Sequence, residues 1–258
     1  MSHAGRIERS FTGQAAAFED SRHNRVFAAD AGWLFDRLPR DPDDLVLDVA
    51  AGTGHAARTL APSVRAVVAL DATAAMLEQG HNAAQQESHG NIIFVRGDAR
   101  ALPFPDRSFD IVVSRFALHH LEDPAIVLQE MRRCVRPGGR LAVADLLADR
   151  QPGTARAQNE LERLRDPSHT RMLSAEELRE LIEHARLRPA DFQSQQVQRP
   201  LDPWLAQAQT SASVETRIRA RLSEELDGGP ATGFQPSIHD GRVWFVQTFG
   251  SYVAHTVD

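Results

Sequence analysis

Four carboxylates in this chain sit at the ends of short apolar runs: Asp48 in LVLDV, Asp71 after AVVAL, Asp98 after IIFVRG and Asp145 after LAVA. Two adjacent histidines, His119 and His120, follow FDIVVSRFAL. Carboxylates placed this way can accept hydrogen bonds from sugar hydroxyls or stabilise a cation, and imidazoles exchange protons near neutrality. The first acid adjoins a small-residue turn, Ala50, Ala51, Gly52, Thr53 and Gly54, where backbone free of bulk lets a ligand lie against the chain. Gly52, Gly54 and Ala57 fit the spacing G-x-G-x-x-A, with Asp71 about 20 residues on, so spacing alone admits NAD. Asp48 argues the other way, because a pyrophosphate at the turn would meet like charge in a site of reduced dielectric. A cationic ligand suits it better. S-adenosylmethionine carries an adenosine for Asp71 to hold, no phosphate, a sulfonium and an ammonium group. The competing use of Asp71 is a helix N-cap.

These side chains need a framework that brings strand ends together. Leu45 to Val49, Ala66 to Leu70, Asn91 to Val95, Phe109 to Ser114 and Leu141 to Ala144 read as buried strands. Between them, helices are predicted over His55 to Leu60, Thr73 to Gln86 and Ala125 to Val135, the last ended by Pro137, Gly138 and Gly139. Strands alternating with helices predict a parallel α/β sheet, which binds ligands in the crevice where strand order reverses. His119 and His120 fall at that point, and Asp145 points toward it. Consecutive helical residues diverge by about 100°, so one histidine faces the crevice, taken here as His119; capping or packing is the alternative use. Upstream, Val26 to Leu38 reads as an amphipathic helix with Phe27, Ala31, Leu34 and Leu38 on one face. Downstream, Arg156 to Arg165, Ala175 to Ala185 and Val214 to Leu226 read as helices, with strands at Phe192 to Val197 and Val243 to Val253 and separators at Pro200 and Pro203.

Asp48, Ala50, Gly52 and Gly54 resemble motif I of class I S-adenosylmethionine-dependent methyltransferases, with Ala50 where the first glycine is commoner. VALDATAAMLEQG, FVRGDARALPFPDRSFDIVVSRFALHHL and MRRCVRPGGRLAVADLL resemble the rest of that core, and RLRDPSH at 163–169 matches the same group. The resemblance is to the ubiquinone/menaquinone C-methyltransferase-like small-molecule group. It implies a Rossmann-like seven-stranded, mostly parallel sheet with helices on both faces, an antiparallel last strand and a helical lid. One domain, 1–258, is expected: an arm over the cofactor (1–24), a cofactor-binding core (25–150), a lid (151–172 and 199–240) and the segments completing the sheet (173–198 and 241–258).

The resemblance also assigns residues. Phe11 and Phe18 would shield the sulfonium, Phe18 standing where Tyr is frequent, and Arg22 would pair with the methionine carboxylate. A partly ordered arm is the alternative for this segment. Asp98 would take the adenine amino group, with Ala99 donating from its backbone, or Asp98 stabilises a turn. Ala72, Met76, Ser114 and Arg115 complete the expected cofactor set, with Met76 otherwise core. Phe18, His119, His120, Asp145, Arg165, His169 and Trp204, together with Phe234, would line the acceptor's side. Methyl transfer needs no metal, and a base only where the acceptor must lose a proton; His119 is the candidate.

Bulk composition narrows the classes. Hydrophobic residues at 42% and charged residues at 25% are those of an ordinary globular protein. A net charge of −6 lacks the basic field of a nucleic-acid binder. No run approaches the roughly 20 apolar residues of a membrane span, and no apolar segment follows Met1, so a cytoplasmic monomer or homodimer is expected. Cys134, the single cysteine, falls with Val127 and Met131 on an apolar helix face and reads as a structural thiol. The eleven histidines form no H-x-x-x-H pair with an acid partner, so no metal is expected. The expected function is methyl transfer to O, N or C of a small metabolite; an NAD-dependent oxidoreductase and a non-catalytic S-adenosylmethionine-binding protein are the alternatives.

Overall fold

The computed structural model describes residues 3–19 and 32–256. The parallel strands are β1 (Leu45–Val49), β2 (Ala66–Asp71), β3 (Ile92–Arg96), β4 (Phe109–Arg115) and β5 (Val135–Leu147). Strand β8 (Arg242–Thr256) runs antiparallel to both β5 and β6 (Leu187–Pro200), so β6 points the same way as β1 to β5, and the order is β3-β2-β1-β4-β5-β8-β6. A short β7 (Ser237–His239), absent from the sequence reading, pairs with β8 as a hairpin. The fold is therefore the expected α/β one, with one strand more.

Strands β1 and β4 are apolar almost throughout because both faces of the sheet are covered. On one face Leu47, Val49, Val112 and Val143 pack with Val127, Leu128 and Met131 of α4 (Pro124–Cys134) and with Leu178 and Ile182 of α6 (Ala175–His184). On the other, Val46, Ile111, Val113 and Ala142 meet Ala56, Ala57 and Leu60 of α2 (His55–Leu60) together with Phe35 and Leu38. Cys134 is fully buried in the first cluster, and burial pushes its thiol up to about 11, which suits a structural residue.

Element ends differ from expectation in places, each for a local reason. β5 starts at Val135 because that residue pairs with Phe109 before a bulge; Pro137 to Gly139 lie in the bulged segment and do not end the pairing. Pro200 and Pro203, expected to separate elements, begin the helix α7 (Leu201–Gln207): Pro200 is its N-cap and Pro203 falls in the first turn, where no N–H bond is needed. Of the helix expected over residues 26–38, residues 26–31 lie outside the described residues, and Gly32–Phe35 is a short 3₁₀ turn.

The helices α5 (Pro152–Arg165), α7 and α8 (Ala212–Leu226) share a separate apolar cluster of Leu161, Trp204, Leu205, Ile218, Leu222, Phe234 and Phe245. Glu162 and Arg165 of α5 and Gln207 of α7 reach the cavity at the carboxyl ends of β1 and β4, where strand order reverses, and α1 (His3–Phe18) closes on the same place. Among the described residues no helix is long and apolar enough to cross a membrane.

Candidate active site

A cavity of about 460 Å³ opens at the strand-order reversal, within the usual range of small-molecule sites. One half is backbone and carboxylate. Gly52 has φ +56 with open space where a Cβ would stand, so the turn presents bare backbone to the cavity. Asp71 is fixed by two backbone donors, Gly52 N–H to Oδ2 and Thr73 N–H to Oδ1, both at 2.8 Å. The N-cap of α3 (Ala74–Gln86) is Thr73, so the capping use of Asp71 is not the one adopted.

Asp48 is completely buried; its Oδ2 accepts from Ala57 N–H at 3.0 Å, while Oδ1 has no hydrogen-bond partner among the described residues. Burial raises its pKa to about 7 against the pull of Ala57 and of Arg115. Burial likewise lowers Arg115 to about 10, its guanidinium lying 4.8 Å over the Phe116 ring. An orphaned buried acid oxygen beside a glycine cradle and a held ribose-type acid fits a nucleoside carrying a cation.

Ala50, Ala72, Met76, Asp98 and Ala99 also line this half. Asp98 forms a bidentate pair with Arg100, at 3.0 and 2.7 Å, and accepts from Arg100 N–H at 2.9 Å, so turn stabilisation is one use it does have. Two expected cofactor residues do not reach the cavity. Strand alternation turns Ser114 into the sheet, 1% exposed, while its neighbour Arg115 faces out. Gly54 instead serves packing: at φ +75 it begins α2, and a Cβ there would come within 3.0 Å of the Phe94 ring. Arg22 lies outside the described residues.

The other half is built on His119. Asp145 accepts from the His119 Nδ1–H and, at 3.1 Å, from its backbone N–H, and also from Leu146 N–H at 2.7 Å. Asp145 is therefore not a wall residue as expected; β5 runs on to Leu147, and the carboxylate sits behind the histidine and orients it. Burial works against a charged His119, but Asp145, then Glu162 and Asp166, outweigh it, and the pKa is raised. Both adjacent histidines line the cavity, not one as expected, because Leu118–His120 is a 3₁₀ turn and not a run of α-helix; His120 and His169 stand 4.1 and 5.5 Å from the His119 ring by centroid. Burial first, and then the charge on His119, lower both of them, His120 to about 3. His120 bonds Ser168 Oγ at 3.0 Å and meets the Phe11 ring edge-on at 4.8 Å. His169 bonds Asn159 at 2.9 Å.

Helix α1 is pinned above these groups. Ser10 and Gln14 donate to Asp166 at 3.0 and 3.3 Å, and Phe11 and Phe18 line the cavity with ring centroids 6.0 Å apart. Trp204 and Phe234, expected at the wall, are instead 1% exposed in the separate apolar cluster of α5, α7 and α8: α7 buries Leu201, Trp204 and Leu205 at i, i+3 and i+4. Arg165 does reach the cavity, its guanidinium 4.6 Å over the Trp204 ring. Sequence reasoning missed Glu162, Asp166, Arg199, Gln207 and Gln247, which also line it. Glu162 and Asp166 belong to a polar stripe at helical spacing with Gln158 and Asn159, a pattern indistinguishable in sequence from a solvated face.

The methyltransferase-domain family matches residues 47–143. An uncharacterised methyltransferase of Bacillus subtilis, YcgJ, is 34% identical over 208 residues, which is 80% of this chain and 82% of the relative. This chain belongs to the class I S-adenosylmethionine-dependent methyltransferase family. The YcgJ crystal structure superposes with a TM-score of 0.78 at 29% identity, covering 88% of this chain and 98% of that one. A Bacillus halodurans methyltransferase structure gives 0.80 at 28% identity over 89% and 100% of the two chains. The ubiquinone/menaquinone biosynthesis C-methyltransferase of Hahella chejuensis is 43% identical over 117 residues, and the match spans only 47% of that relative.

Proposed function

We propose that the cavity holds S-adenosylmethionine beside a small methyl acceptor, and that the chain, acting as one domain, transfers methyl to O, N or C of a cytoplasmic metabolite. The observation that carries this reading is the single cavity joining the Gly52 turn, Asp48 and Asp71 to the His119–Asp145 pair. When bound, S-adenosylmethionine supplies a methyl group on a positively charged sulfur, open to in-line displacement. Asp71 takes the ribose hydroxyls and Asp98 and Ala99 the adenine edge, while Asp48 offers its unpaired oxygen to positive charge. Phe11 and Phe18 on α1 exclude water, and positioning alone supplies up to about 7–11 kcal/mol of barrier reduction. His119, held by Asp145 at Nδ1, keeps Nε2 for a proton from a hydroxyl or activated carbon. An amine acceptor needs no base.

Calorimetric titration with S-adenosylhomocysteine, and separately with NAD, tests the reading. Micromolar binding of S-adenosylhomocysteine, weakened at least about tenfold in Asp71→Ala, is expected from the loss of charge-assisted hydrogen bonds. Binding of NAD alone would move the chain to the oxidoreductases.

A further inference from the structure

The floor of the cavity on the lid side is charged. Arg165 from α5 and Arg199 from the end of β6 both line it, and their guanidinium groups converge on one acceptor: Gln207 Oε1 lies 3.3 Å from Arg165 Nη2 and 3.5 Å from Arg199 Nη2. Arg199 also donates to Gln247 Oε1 at 2.6 Å, and Gln247 in turn donates to Glu162 at 2.6 Å. Glu162 approaches Arg165 at 3.5 Å. Arg199 is 3% exposed and Glu162 2%, so these charges are held away from bulk water at real cost. The two distances to Gln207 are long for bonds from guanidinium, whereas an anionic oxygen is held at about 2.7–2.9 Å. Burial, followed by repulsion from Arg165, lowers Arg199 to about 9 against the pull of Glu162, so an arriving anion would add to Glu162 in offsetting the repulsion between the two guanidinium groups. Glu162 also acts on His119 through its charge, which puts this polar floor next to the base.

We propose that Arg165 and Arg199 bind an anionic group of the methyl acceptor, so that the substrate is a small organic acid, carboxylate or phosphate, with its reacting atom toward His119. The inference rests on the methyltransferase reading above and deepens it. A neutral ring with a long apolar tail would add no charge to ease the repulsion between Arg165 and Arg199.

The test is calorimetry on the full chain saturated with S-adenosylhomocysteine, using benzoate, phenyl phosphate, benzamide and 1,4-dihydroxynaphthalene as probes. Benzoate or phenyl phosphate is expected to bind at least about tenfold more tightly than benzamide, and their ratio tells carboxylate from phosphate. Arg199→Gln and Arg165→Gln should each weaken the acid by about tenfold while S-adenosylhomocysteine still binds. If Arg199→Gln fails to fold, as judged by circular dichroism, Arg165→Gln on the partly exposed lid helix decides. Benzamide or the naphthalenediol binding as tightly as the acids overturns the inference, as does the absence of acid binding at about millimolar concentration. Failure of S-adenosylhomocysteine itself to bind would instead overturn the methyltransferase reading.

Discussion

Asp48→Asn should make the protein more stable and a weaker binder. Asp48 is fully buried, one oxygen has no partner among the described residues, and its pKa rises from 3.8 to about 7 because burial disfavours the anion. A carboxyl whose folded pKa is raised holds its proton in the native state when the unfolded chain has already lost it. Stability therefore falls as pH rises from the unfolded value to the folded one, and stays low above it. The interval from 3.8 to about 7 corresponds to about 4 kcal/mol. Asparagine keeps an oxygen for Ala57 N–H and cannot ionise. Urea unfolding of the two proteins should show little difference at about pH 4, and a gap in favour of the variant that widens by roughly 2–3 kcal/mol between about pH 5 and about pH 8. In the same preparations, S-adenosylmethionine affinity of the parent should grow as pH rises through about 7 and that of the variant should be weaker and flat. A stability gap independent of pH would show that Asp48 is not the buried, proton-holding acid described here.

Asp145→Asn removes the partner that raises His119, so the alkaline-going rise of the methyl-transfer rate should move to lower pH and its plateau should drop by about 10²–10⁴, as for a lost general base. A pH–rate profile unchanged in position would remove His119 from the chemistry. Ala50, which replaces a commoner glycine, sits at φ 54, where a side chain is strained. Ala50→Gly should therefore raise stability by about 1 kcal/mol and the thermal midpoint by about 2–4 °C, as read by differential scanning calorimetry. An unchanged or lower midpoint would mean that the turn is not strained at that residue.

The part of the site written in backbone spacing was legible in the sequence. A strand, a small-residue turn and an acid about 20 residues on can be assembled in few ways, so Asp48, Gly52 and Asp71 converge as expected. Errors arose where side-chain direction decides. Ser114 and Arg115 are neighbours on β4 and strand alternation sends one into the sheet and the other to the cavity. Asp145 was read as following a strand that ends at Ala144, whereas β5 continues through it in register with Gly250 of β8, which sets the carboxylate behind His119. Gly54 fits a ligand fingerprint, but its place is set by the Phe94 ring.

The acceptor side was least legible, because it is assembled from segments far apart in the chain. Arg199 precedes a proline in a polar stretch and reads as a solvated charge; only the pairing of β6 with β8, which sets Arg199 opposite Phe245, shows it to be buried. Trp204, expected on the acceptor's side, supports Arg165 from behind, with the guanidinium stacked on it and the backbone carbonyl accepting from Arg165 Nε at 2.9 Å. That arrangement yields a further expectation. Trp204→Leu keeps an apolar side chain but removes the stacking face, so Arg165 loses its fixed direction while the cofactor half is untouched. Acid-probe binding should then weaken by several-fold, the scale of a cation–π contact of about 0.5–2 kcal/mol, with S-adenosylhomocysteine affinity unchanged. Equal losses for both ligands would mean instead that the indole holds the lid as a whole, and that Arg165 is aimed by Glu162 and Gln207 alone.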